Sequence, residues 1–276
     1  MPLQQLVEYF NDRLELQHNV GYRPFVLNQD KVEGLFGPIR IGTHLVPISD
    51  CQQNTIIGYA AQLKLQNNQH SPQNHELDTL INFSQANTAN TESIINFDRL
   101  SRSVHMLNYL PEAHLEQILF LDVDPRHIIG VKTDHGAYFE EVIRQCGLNT
   151  SNVAISLSVT GIYARFYQSL LKGLANYQSR GYRIALKFDY QDLDKSSYEL
   201  IIRAGADFVG LCADDFERIR PELLHEKIGQ LKNTIDAINA RSLLFNLKDQ
   251  TAAKLCQNYA FNLWQGEQPK STAIAA

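Results

Sequence analysis

The chain is expected to be an α/β protein whose parallel sheet closes into a (β/α)8 barrel behind an N-terminal helical extension. Three observations carry that expectation. Short apolar runs alternate with amphipathic helical stretches from about residue 97 onward, the rhythm of βαβ units. The runs are continuously apolar instead of alternating in polarity, as strands buried on both faces are. About eight strands can be counted, and 276 residues is a common length for a barrel folded as one unit.

Taken in order, Leu3–Leu14 places apolar residues at positions 3, 6, 10 and 14 and predicts an amphipathic helix. Residues 1–40 are expected to form an extension of helix and loop. His44–Ile48 and Thr55–Leu65 predict two strands around the polar turn Ser49–Asn54. Gln66–Asn96 is rich in Asn, Gln, His and Ser and contains Pro72. Such side chains compete with their own backbone, so a long loop is expected, with helix near Leu77–Phe83. Strands then follow at Ile118–Val123, Val153–Leu157, Arg183–Phe188, Phe208–Leu211, Ser242–Leu247 and Phe261–Trp264. Helices fall between them at Ala137–Cys146, Ile162–Arg180, Ser196–Ala204, Glu222–Ala240 and Thr251–Tyr259. The barrel domain is placed at 41–270 and a short tail at 271–276.

Composition narrows the function. The hydrophobic fraction is 44%, ample for a core, and the net charge of −5 gives no footprint for nucleic acid or an anionic membrane. Cys51, Cys146, Cys212 and Cys256 form no CxxC pair, so reduced thiols in a cytoplasmic protein are expected. Met1–Leu16 lacks a cationic start followed by an apolar run, and no stretch is long enough to span a bilayer. GxGxxG, GxxxxGK[ST] and GxSxG are absent. His105, His114, His127 and His135 show no metal-ligand spacing and are expected at the surface or at helix ends. Tyr163, Phe166, Tyr167 and Leu170 lie at helical spacing, as core residues do. Trp264 is assigned to the barrel rim, and the mixed charges of Asp214–Arg220 to a solvated loop or helix start. Asp122, Asp124, Asp189, Asp192, Asp214 and Asp215 fall near carboxyl ends of barrel strands. There they serve either as caps and turn residues or as a rebuilt metal site.

Several segments in order resemble the EAL family of cyclic-di-GMP phosphodiesterases. Leu45-Val46-Pro47-Ile48 through Gly58-Tyr59-Ala60-Ala61-Gln62-Leu63-Lys64 is similar to "QPI…GYEALLR". Leu121–Pro125 resembles "NVSP", and Ser156–Val159 stands at "ELTE". Gly181–Tyr190, GYRIALKFDY, resembles a strand segment bearing two adjacent aspartates. Asp207–Leu211 resembles "DYIKI", Leu243–Asp249 "VVAEGVE", and Gln265-Gly266 the terminal "QG". The likeness covers roughly residues 42–269. It implies a modified (β/α)8 barrel with one antiparallel strand.

The resemblance also implies where the family's chemistry would sit, and this chain departs from it there. The signature glutamate is Ala60, the asparagine ligand Asp122 and the "ELTE" glutamate Ser156. The aspartate pair is Lys187 and Phe188, and the water-orienting lysine is Gly210. The two glutamates of "AEGVE" are Asn246 and Asp249. A hard divalent cation needs several anionic oxygens converging on it, and an ammonium repels it. Without bound metal no activated hydroxide attacks the phosphodiester. No catalytic residue, metal or cofactor is therefore expected. The reading is an inactive EAL-like domain that regulates bacterial motility, biofilm or transcription through a protein partner, with homodimerisation implied as an option. A non-hydrolysing cyclic-di-GMP receptor using Lys64, Pro125 and Gln265 is the alternative, and a barrel enzyme with a rebuilt metal site a third.

Overall fold

The strands form because they bury both faces. Of Ile118–Asp122 the first four residues are buried, of Val153–Ser158 the first five, and of Phe208–Cys212 all five. The computed structural model describes residues 2–18, 21–67, 91–113, 116–131, 134–214, 216–247 and 252–267. Eight strands close into a barrel: β3 (Ile39–Asp50), β4 (Ile56–Asn67), β5 (Ile118–Asp122), β6 (Val153–Ser158), β7 (Arg183–Phe188), β8 (Phe208–Cys212), β9 (Arg241–Phe245) and β10 (Leu263–Gln265). From β4 to β10 every neighbour is parallel, whereas β3 runs antiparallel to both β4 and β10 and closes the ring. The barrel and its single antiparallel strand are as the sequence implied.

Alternation along each strand divides the core in two. Ile48, Ile118, Phe120, Ala185, Phe208 and Leu243 belong to the lumen, where the Phe120 and Phe208 rings meet edge to face at 4.8 Å. The intervening residues pack outward under the helices. Gly58 permits the tight β4–β5 pairing, because a Cβ there would lie 2.1 Å from the Ile118 carbonyl oxygen.

Residues 1–40 hold more than helix and loop. After α1 (Leu3–His18), β1 (Phe25–Asn28) and β2 (Lys31–Phe36) form a hairpin, and β2 pairs with β3 through Gly34–Phe36. The sheet thus runs across residue 40 without a break. Asn11 fastens α1 to this hairpin by donating to the Phe25 carbonyl (2.8 Å) and accepting from the Phe25 N–H (2.9 Å).

Regular structure enters both ends of the expected loop at 66–96. β4 continues to Asn67, and α2 spans Thr91–Tyr109. The helix expected near Leu77–Phe83 lies outside the described residues. A short helix not expected from the sequence, α3 (Pro125–Gly130), follows β5, and the later helices agree closely: α4 (Ala137–Gln145), α5 (Tyr167–Ser179), α6 (Lys195–Ala204), α7 (Pro221–Ala237) and α8 (Ala252–Tyr259). Among the described residues no helix is long and apolar enough to cross a membrane.

Two expectations are corrected. Cys51 and Cys256 are joined as a disulfide across 205 residues, with Cα atoms 5.9 Å apart, so only Cys146 and Cys212 are free thiols. Sequence distance concealed the pairing, because barrel closure brings the β3–β4 turn against α8. His105, His127 and His135 are buried instead of superficial, held by polar partners inside the helical layer. His114 lies outside the described residues.

Candidate functional site

The carboxyl ends of the parallel strands form the mouth of the barrel. Phe120, Ala185, Phe208 and Leu243 face the lumen, so residues two further on, Asp122, Lys187, Gly210 and Phe245, point into the mouth one layer above. Ala60 packs against the lumen cluster from β4, and Ser156 is buried two residues after lumen-facing Ala154. Five of the eight residues singled out from the sequence, Ala60, Asp122, Ser156, Lys187 and Gly210, thus share one end of the barrel or its lining. Phe188 does not: it is fully buried in the outer core, with its ring turned away from the mouth. Asn246 sits just past β9 with left-handed backbone (φ 57°), donating to Asp214 Oδ2 at 3.3 Å and to Cys212 Sγ at 3.4 Å. Asp249 and Asp215 lie outside the described residues.

Lys187 dominates the mouth. Its ammonium donates to Asp122 Oδ1 at 2.6 Å and stands 5.4 Å from the centre of the Phe245 ring, within cation–π range. Its stem passes Gly210, the residue opposite it in the β7–β8 register. A Cβ on Gly210 would come within 3.1 Å of Lys187 Cγ and 3.2 Å of Phe245 Cδ1. The glycine is thus the space that the lysine and the aromatic ring occupy. The lysine expected on β8 is missing, while the adjacent strand carries one where an aspartate is expected.

These residues do not fit a divalent metal. Asp122 is the only carboxylate among the matched, described positions, and it is already engaged by an ammonium. Ala60, Ser156 and Gly210 bring no anionic oxygen, and Phe188 faces elsewhere. Among the described residues no three His, Cys, Asp or Glu side chains converge as a metal site. Of the other strand-end aspartates, Asp124, Asp192 and Asp214 are engaged locally. Asp124 caps α3 by accepting from the Arg126 N–H and grips the Arg126 guanidinium at 2.6 Å, and Asp192 accepts from the Gly161 N–H at 2.9 Å.

The three ligand-binding candidates stand on three different elements. Gln265 is buried on β10 and shares the lumen-facing phase of Leu263. Pro125 is the first residue of α3, and Lys64 is exposed on β4 opposite Gly42. Among the described residues no hydrogen bond or ion pair joins them.

A second polar cluster lies beside the mouth, and sequence reasoning missed it. Asp98 on α2 is buried against Arg102 (2.8 Å) and His127 Nδ1 (2.7 Å), and accepts from the Asp124 N–H (3.2 Å). Arg102 stacks over Phe139 and reaches the Tyr177 hydroxyl. Burial alone would raise the Asp98 carboxyl, but Arg102, His127 and the backbone N–H together hold it below the ordinary carboxylate range. Burial holds His127 low, against the opposing pull of Asp98. His105, one turn on, is lowered by burial to about 4 and shares a hydrogen bond with Thr43 on β3. The cluster underlies a cavity of ≈ 260 Å³ between β4, α2 and the β5–α3 turn, walled by Ala61, Leu63, Ile94 and Phe97.

No family model and no curated protein matches the sequence. Solved structures do. The Bacillus subtilis YkuI protein, with an EAL domain and in complex with substrate c-di-GMP and calcium, superposes at a TM-score of 0.61 and 15% identity, over 82% of this chain and 53% of its own. Klebsiella pneumoniae BlrP1, as its manganese and cyclic-di-GMP complex, gives 0.64 and 15% over 88% and 56%. A standalone EAL protein from Vibrio cholerae, in its c-di-GMP bound form, gives 0.60 and 14% over 82% and 89%. The chain spans about half the length of the first two proteins. At these identities the likeness is one of fold, and the barrel has the EAL-type architecture.

Proposed function

We propose that this chain is a catalytically inert EAL-family protein that acts in cyclic-di-GMP signalling by contacting another protein. One observation carries the reading: Lys187 donates to Asp122 at 2.6 Å in the volume where the family pattern requires anionic oxygens around metal. An internal cation balances the remaining carboxylate, so the mouth neither attracts a divalent ion nor offers a hydroxide. The fold and the relatives crystallised with c-di-GMP support the signalling context; regulation of motility, surface attachment or transcription is the role proposed within it.

The test combines turnover with binding. Incubation with cyclic-di-GMP and magnesium or manganese is expected to yield no linear dinucleotide, and calorimetry no metal-dependent heat. Any metal-dependent cleavage would end the inert reading. Gln265, which keeps a lumen-facing position, favours a second reading as a non-hydrolysing receptor. A single site of micromolar affinity, roughly −8 kcal/mol, weakened by Gln265→Ala and Lys64→Ala, would put that reading first.

A further inference from the structure

The barrel is closed by its thinnest seam. β10 contributes three residues, Leu263–Gln265, paired with Asp50, Ser49 and Ile48 on β3 and through two register pairs with β9. The disulfide lies at this seam. Cys51 follows β3 directly, and its N–H donates to the Asn262 carbonyl just before β10. Cys256 is buried on α8, the helix leading into β10. The bridge therefore ties both flanks of the seam together and encloses β4 to β9 between its ends.

We infer that Cys51 and Cys256 form a reversible redox latch on barrel closure, exchanging with small-molecule disulfides and thiols of the glutathione class. Cys51 is partly exposed and Cys256 is not, so exchange begins at Cys51. On oxidation the Cys51 thiolate attacks the small disulfide, forms a mixed disulfide and releases one thiol. The Cys256 thiolate then attacks the Cys51 sulfur, closing the protein bridge and releasing the second thiol. Both protein thiols give up one proton, and their two electrons reduce the small disulfide to two thiols. Reduction runs the same steps backwards. The remaining cysteines are poor competitors: burial pushes the Cys146 thiol up to about 12 and raises Cys212 as well. The latch bears on the mouth because β10 carries Gln265, and because α8 follows the chain segment that begins with Asn246.

The test is alkylation of the full-length protein under denaturing conditions after equilibration with oxidised glutathione. Two modified cysteines, Cys146 and Cys212, are expected, together with a cross-linked peptide pair containing residues 51 and 256; four are expected after dithiothreitol. Thermal melts should shift down by roughly 10 °C on reduction, given a cross-link spanning some 200 residues. Cys51→Ser should remove that dependence while Cys146→Ser leaves it unchanged. Four modified cysteines in the oxidised sample, or an unchanged melt once the cross-linked peptide has disappeared, would overturn the latch. Should Cys51→Ser not fold, a wild-type titration across glutathione ratios still decides, because the cross-link and the melting shift must appear together.

Discussion

The mouth and the α2–α3–α5 cluster each hold a cation against a carboxylate, yet they are built for different purposes. In the mouth Asp122 is 60% exposed and Lys187 13%, with solvent available to the carboxylate. Inside the helical layer Asp98 and Arg102 are 8% and 3% exposed, and backbone and side-chain partners surround them. Solvent screens the first pair, so its energy is small and its consequence is chemical: it occupies a volume and cancels a charge. The second pair has given up its hydration and depends on complete pairing, so its consequence is structural. Because Asp98 also accepts from the Asp124 N–H, it fixes the turn that follows Asp122. The sealed pair thus supports the strand end that the open pair fills.

Removing one partner from the sealed cluster should cost the most stability. Asp98→Ala leaves Arg102 and His127 without their anion in a dry interior, and a loss of about 3–5 kcal/mol is expected in urea unfolding. A loss below ~1 kcal/mol would show that the cluster is wetter than its burial implies.

Acid should find the same region next. His105 is held at about 4 against an ordinary value of 6.5, so the unfolded chain takes up its proton first as pH falls. Stability from this group is complete above pH 6.5 and declines towards pH 4, by up to about 3 kcal/mol. Asp98, depressed below its ordinary value of 3.8, keeps its contribution throughout that window and loses it only at still lower pH, as it becomes protonated. His105→Asn should flatten the slope between pH 6.5 and 4, whatever it does to stability at pH 7. An unchanged slope would remove His105 from the account.

The two regions also differed in how legible they were. Barrel strands announce themselves by continuous apolar runs, and motif order leads to Asp122, Lys187 and Gly210 at the mouth but also to Phe188, which faces the outer core. Helix α2 did not announce itself, because Asp98, Ser101, Arg102, Ser103 and His105 are polar residues on a buried face. Hydropathy scores such a face as solvent-exposed, although pairing makes it core. His127 and His135 escaped for the same reason. The β1–β2 hairpin was missed because its strands are only four and six residues long, with Gly34 inside one of them. The Cys51–Cys256 bridge could not be read at all, since only closure brings the two together.

Within the mouth, Gly210 leaves the space that the Lys187 stem and the Phe245 ring fill. Gly210→Ala pushes a methyl against Lys187 Cγ and the Phe245 ring, and about 1–2 kcal/mol of destabilisation is expected. In a Lys187→Ala background the cost should fall by half or more, since only the ring remains to be displaced. Equal costs in both backgrounds would mean that the glycine does not make room for the lysine.

The smallest effect is expected where the functional claim is largest. Lys187→Met keeps an unbranched stem beside Gly210 and removes the charge facing Asp122. Asp122 is open to water, which screens the pair, so the double-mutant coupling between Lys187→Met and Asp122→Asn should fall between about 0 and 1 kcal/mol. Removing the ammonium is also not expected to confer magnesium or manganese binding, because Asp122 remains the only carboxylate at the matched, described positions and Phe188 presents its ring to the outer core. Stable folding without metal uptake would rest the proposed inertness on the whole set of replaced positions. Metal uptake by Lys187→Met would instead single out the ammonium as what keeps the ion away, and would make the inert state a matter of one side chain.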